Sequence, residues 1–178
     1  MQLGHAGRKV ATRAPWDGFA PLGEADAAAG RPPWAGIAPS PIPFKDGAMV
    51  PKEMDAADIA RVVALHVDAA KRTLDAGFDV LEIHGAHGYI IQQFLSPITN
   101  RRTDGYGGDL AARMRFGLEL IEAVRGAWPA DGRCSSAPPA WTARSAAGRS
   151  RTRSCSRASS RHAAWTCWTA PPAGSRGR

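Results

Sequence analysis

Two histidines three residues apart, His84 and His87, stand with Tyr89 two residues further on. Two imidazoles can donate hydrogen bonds to one carbonyl or anionic oxygen, and a phenol can deliver a proton beside it. Gly85 and Gly88 leave the backbone bare, so that a flat ligand can approach it closely. A metal pair is the competing chemistry, but no carboxylate or third histidine has a ligand-like spacing. Spacing alone balances the cluster evenly against ordinary hydrogen-bonded loop histidines. A second stretch, Gln2-Leu3-Gly4-His5-Ala6-Gly7-Arg8, puts Gln, His and Arg on a glycine-rich turn after a short strand. There the favoured reading on spacing is an ordinary turn with solvated basic groups.

The elements around these residues read as half of an α/β repeat. Asp55 can cap a helix, with Asp58 in its first turn. Ile59, Val62, Val63, Val67, Ala70 and Leu74 then recur at helical spacing, and Gly77 suits a left-handed C-terminal cap. Residues 78–83 read as a short buried strand. That strand delivers His84 to its C-terminal end, where α/β folds place ligands and chemistry. Residues 90–94 suit a short helical turn, and 96–108 a polar loop. A second helix is expected from an Asp109 cap to about Trp128, with Met114, Leu118, Ile121, Val124 and Trp128 as its stripe. Residues 1–50 carry seven prolines and read as an irregular excursion.

Four stretches resemble the Old Yellow Enzyme family of FMN-dependent NAD(P)H:flavin oxidoreductases, the ene-reductases, especially its bacterial thermophilic-like subclass. They are QLGHAGRK at 2–9, APSPIPF at 38–44, AGFDVLEIHGAHGYIIQQFLSP at 76–97 and NRRTDGYGG at 100–108. The resemblance covers about three-quarters of the chain and implies a (β/α)8 TIM barrel with FMN at the C-terminal ends of its strands. Residues 1–132 would then be a fragment of that barrel, holding strands three and four with their helices. Gln2 matches the glutamine that binds the flavin pyrimidine edge. His84 and His87 match the pair that binds the substrate's activating oxygen, and Tyr89 matches the position that protonates the α carbon. The implied activity is reduction of activated C=C bonds of enones and related small molecules, with NADH or NADPH as reductant and no metal. Homo-oligomers are compatible with the intact family member.

Length and composition depart from that family. The chain has 178 residues, against about 250 for an ordinary complete barrel, so truncation at both ends is expected. Residues 133–178 hold nine Arg and no Leu, Ile, Val, Phe, Met, Asp, Glu or Lys. Of the 23 basic and 16 acidic residues in the chain, 14 and 16 therefore fall in residues 1–132, which carry a net charge of −2. All three cysteines lie in the tail, without disulfide or zinc spacing.

Arg133 to Pro139 can be encoded so that a frame shifted by two bases reads Leu-Phe-Val-Arg-Thr-Ser, close to the family's next strand. Ala164 to Thr169 likewise yields Val-Asp-Leu-Leu-Asp. The tail is therefore read as frameshift product, expected to be unstructured, and the fragment as inactive alone. The rival reading is a non-enzymatic protein that binds nucleic acid or another polyanion through this Arg-rich tail; without a reader motif it is disfavoured. No run suits a membrane span or a signal peptide, so the expected location is cytoplasmic.

Overall fold

A computed structural model describes residues 1–129 in full, together with the backbone of 133–137, 154–157 and 165–168. In chain order the elements are β1 (Gln2–Leu3), short 3-10 turns at Gly7–Lys9 and Pro15–Asp17, α1 (Glu24–Ala28), β2 (Ile37–Ala38), β3 (Lys52–Glu53), α2 (Ala56–Asp75), β4 (Val80–His84), α3 (Ile90–Leu95), α4 (Leu110–Ala127), β5 (Arg133–Ala137), β6 (Ser154–Arg157) and β7 (Trp165–Trp168). The main sheet is parallel, in the order β1-β4-β5. Its strands are joined through α2 and α4, which is the α/β alternation expected from the sequence.

Both long helices begin as their sequences dictate. The Asp55 carboxylate accepts from the Asp58 amide at 2.8 Å, and Asp58 bonds back to the Asp55 amide, a reciprocal cap on α2. Asp109 accepts from the Ala112 amide at 2.8 Å to start α4. Gly77 ends α2 in the left-handed region, at φ +80°. The strand begins two residues later than expected and includes His84.

The buried faces are rotated from the expected stripes. In α2 the core face is Ile59, Val62, His66, Ala70 and Thr73, whereas Leu74 is 40% exposed. His66 fits this face because its Nδ1 bonds the Val62 carbonyl at 2.8 Å, and Thr73 because its hydroxyl bonds the Ala69 carbonyl. In α4 the core face is Phe116, Leu120 and Val124, continued by Trp128; Leu118 is 37% exposed. Phe116 stacks on Phe94 of α3 with ring centroids 4.2 Å apart, and that anchor sets the rotation of the helix.

Leu81 and Ile83 lie in the same core as α2 and α4. Side chains alternate along a strand, so Val80, Glu82 and His84 share the opposite face. Gln2 is in register with Glu82 and joins that face. The loop at 96–108 is polar, as expected, but closely tied: Asn100 donates to the carbonyls of Phe94 and Tyr106, each at 2.7 Å, and Arg102 reaches those of Pro39 and Met54.

The sequence reading places no structure after residue 132, and the backbone differs there at three strands. β5 pairs with β4 from Val80↔Arg133 to His84↔Ala137, while β6 and β7 pair antiparallel. Strand pairing uses main-chain groups, which almost any sequence supplies to the edge of β4 left free by β1. The remaining tail residues, both segments between its strands included, lie outside the described residues. Among the described residues no helix is long and apolar enough to cross a membrane.

Candidate functional site

His84 is the last residue of β4, and the turn that follows brings His87 and Tyr89 back over it. His87 Nδ1 lies 3.3 Å from His84 Nε2, with ring centroids 5.0 Å apart. The Tyr89 ring meets the His84 ring edge-on, with centroids 5.1 Å apart. The three candidate residues of the turn are thus one cluster. His84 is 8% exposed, while His87 is exposed. Burial, then the neighbouring His87, pushes the His84 imidazole below its ordinary pKa, against a smaller opposing effect of Glu82.

The neutral form of His84 has one proton to place. Its Nδ1 is buried with no hydrogen-bond partner, whereas Nε2 faces His87. A proton on Nδ1 would be an unsatisfied buried donor, so we assign it to Nε2. In this tautomer His84 Nε2–H donates to His87 Nδ1, and an incoming oxygen that displaces this contact could accept from both rings once His87 carries its proton on Nδ1.

Backbone geometry enforces this arrangement. His87 has φ +54°, a left-handed conformation that few residues other than glycine adopt. Its carbonyl accepts from the Lys9 ammonium at 2.8 Å. Gly4 lets β1 pass close to His84, since a Cβ there would lie 3.2 Å from the His84 Cβ.

Gln93, missed by the sequence reading, ties the two turns together. Its Nε2 donates to the carbonyls of Gly88 at 2.7 Å and Ala6 at 3.1 Å, and its Oε1 accepts from the Arg8 amide at 3.2 Å. A Cβ at Gly7 would collide with this amide. The available signal was a pair of glutamines, Gln92 and Gln93, within an otherwise apolar helical turn. Gln92 was equally visible and accepts from the Gly88 amide. Lys9, also unassigned from the sequence, lies at the rim, with Nζ 5.8 Å from the Tyr89 ring centroid.

Gln2 stands apart from this cluster but on the same sheet face. It is exposed, and its carboxamide makes no hydrogen bond among the described residues. A free carboxamide of this kind fits the pyrimidine edge of a flavin, which presents both donors and acceptors. Trp16, whose role the sequence leaves open, is 85% exposed. Among the described residues no group of three or more His, Cys, Asp or Glu could hold a metal.

Comparisons with known proteins agree on one lineage. Residues 5–136 match the NADH:flavin oxidoreductase / NADH oxidase family. An NADPH dehydrogenase of Geobacillus thermodenitrificans is 51% identical over 128 residues, covering 72% of this chain and 32% of the relative. A metal reductase of Desulforamulus reducens is 56% identical over 95 residues, covering 53% of this chain and 14% of the relative. The chain therefore spans a third or less of either relative's length. Among solved structures, histamine dehydrogenase from Rhizobium sp. 4-9 superposes with a TM-score of 0.57 at 33% identity, over 76% of this chain and 19% of that one.

Proposed function

This chain belongs to the NADH:flavin oxidoreductase / NADH oxidase family, and from that premise we propose that residues 1–132 are part of an FMN-binding (β/α)8 barrel that reduces activated C=C bonds with NADH or NADPH. In that barrel β1 and β4 are the third and fourth strands. The observation that carries the reading is the 3.3 Å approach of His87 Nδ1 to His84 Nε2 at the end of a parallel strand. FMN, when bound, supplies the hydride. Gln2 would hold its pyrimidine edge.

The protein's own part in the chemistry is electrostatic. His84 and His87 hold the activating oxygen of an α,β-unsaturated small molecule. Their two N–H donors stabilise the charge that develops on that oxygen and draw electron density from the alkene. Tyr89, edge-on to His84, holds a proton for the α carbon. The relatives' names, a dehydrogenase and a metal reductase, cover different acceptors, so the alkene class rests on this oxygen-binding pair. The rival polyanion-binding reading draws no support from the comparisons.

Titration of the full chain with phenol and with FMN tests the site, followed by enone reduction in a version carrying the whole barrel. His84→Ala or His87→Ala should weaken phenol binding and slow alkene reduction by about 10²–10³, while much of the NAD(P)H-driven flavin reduction survives. Tyr89→Phe should slow reduction less, because solvent can replace the proton. Parental rates in both histidine variants would end the assignment.

We also read residues 133–178 as the product of a shifted frame, supported by their lack of large aliphatic residues. Resequencing should find barrel-like coding sequence in another frame beyond the codons for Asp131 to Arg133. Its absence from all three frames would refute the reading.

A further inference from the structure

Arg8, Lys9 and Lys45 surround Phe44 beside the histidine turn. Lys9 Nζ lies 5.4 Å and Lys45 Nζ 5.2 Å from the Phe44 ring centroid, so the two ammonium groups are no farther apart than those distances combined. Lys9 Nζ donates to the His87 carbonyl and Lys45 Nζ to the Phe19 carbonyl, each at 2.8 Å. Arg8 donates from one terminal nitrogen to the carbonyls of Ile42 and Pro43 at 3.3 and 3.0 Å.

Among the described residues none of these three cations meets a carboxylate. Elsewhere the chain pairs its buried charge: Asp26 has two arginines, and Asp58 a lysine and an arginine. Here burial lowers the pKa of Arg8, and burial followed by Arg8 lowers that of Lys9. The Nε of Arg8 is buried without any partner. Arg8 and Lys9 are half-buried and Lys45 is exposed; cations gathered without counter-charge suit an incoming anion, because their oriented N–H groups lack a negative partner.

The arrangement lies within one small molecule's length of the histidines. Lys9 bridges the two places, touching the His87 carbonyl and lying over both the Phe44 and Tyr89 rings. We propose that Lys9 and Lys45, supported by Arg8, bind an anionic group, carboxylate or phosphate, on a ligand whose oxygen or ring occupies the His84–His87 site. The inference rests on the proposed function and narrows it to acidic ligands. The anion has two sources: the carboxylate of an acidic substrate, or the phosphate of the nicotinamide reductant.

The test uses the full chain and reads binding, without turnover. Amide shifts of Phe44 and Gly88 are followed while 4-hydroxybenzoate is titrated against its neutral isostere 4-hydroxybenzamide, and NADPH against NADH. Binding about tenfold tighter for the acid than for the amide is expected if the source is substrate, and for NADPH over NADH if it is the reductant's extra phosphate. The preference should fall with added salt and vanish in Lys9→Met and in Lys45→Met. Lys45→Met is the cleaner variant, because Lys45 bonds only the Phe19 carbonyl and leaves His87 held.

Equal affinities in both pairs overturn the inference. So does a preference that survives both lysine variants, which would trace it to the nine arginines after residue 132. The proposed function fails separately, if His84→Ala leaves binding of the neutral amide unchanged.

Discussion

On one face of β4, Leu81 and Ile83 are sealed beneath α2 and α4; on the other, Val80 is 41% exposed and Glu82 half-buried, next to the exposed Gln2. The sealed face is closed by elements near it in sequence: the helix before the strand, and α3 and α4 after it. The bare face has no such cover within residues 1–129. His84 nevertheless lies on the bare side and is buried. Its burial comes from Gly4 and from the ring of Tyr89 folding back over the strand end. The histidine turn is therefore ordered by bonds between neighbouring turns, independently of whatever covers the rest of that face.

The largest effect expected from this contrast is on the sealed side. Phe94→Ala removes a side chain buried in the stack with Phe116 and should cost about 3–5 kcal/mol in denaturant unfolding. A cost below about 1 kcal/mol would mean that the helical layer does not hold this fold together. The two faces would then differ in exposure alone.

Much of the sealed side was legible in the sequence. The caps at Asp55 and Asp109, the Gly77 stop and the strand were all readable, because each depends on residues within one turn. The rotation of the buried stripes was not. Leu74 and Leu118 fit a helical period as well as His66 and Phe116 do, and only the Phe94–Phe116 stack and the His66–Val62 bond choose between them. The site followed the same division. Its histidines and tyrosine were visible as a cluster within six residues. Gln93 reaches Gly88 within five residues, but its bonds to Ala6 and Arg8 and that of Lys9 to His87 span 78 to 87 residues and leave no local pattern.

Gln93→Leu probes the boundary between the faces, and its effect should be intermediate. The variant keeps the buried volume but leaves the Gly88 and Ala6 carbonyls and the Arg8 amide unpaired. Unsatisfied buried groups of this kind cost about 1–3 kcal/mol, so a loss of roughly 2–3 kcal/mol is expected. The His84 and His87 ring resonances should shift with it, since Gly88 follows His87 directly. Loss of stability with unchanged histidine resonances would show that the turn holds its shape without the clamp. The site's order would then have to come from the strand.

The smallest effect belongs to the bare face and is the sharpest discriminator. Val80→Thr exchanges a methyl for a hydroxyl at a position 41% exposed, with β-branching retained. With water on that face the change should stay within about 0.5 kcal/mol. At the sealed Ile83, one residue from His84, the analogous Ile83→Thr buries a hydroxyl without a designed partner and should cost several times more. If Val80→Thr instead matched Ile83→Thr, the Val80 side would have to be covered in solution, as the interior of a closed barrel is covered by its own side-chain layers. A concentration-dependent cost would assign that cover to a second copy of the chain. A concentration-independent cost would assign it to the chain's own residues beyond 129. The water-exposed outcome would leave the face open, and the order of the histidine turn would then owe nothing to barrel closure.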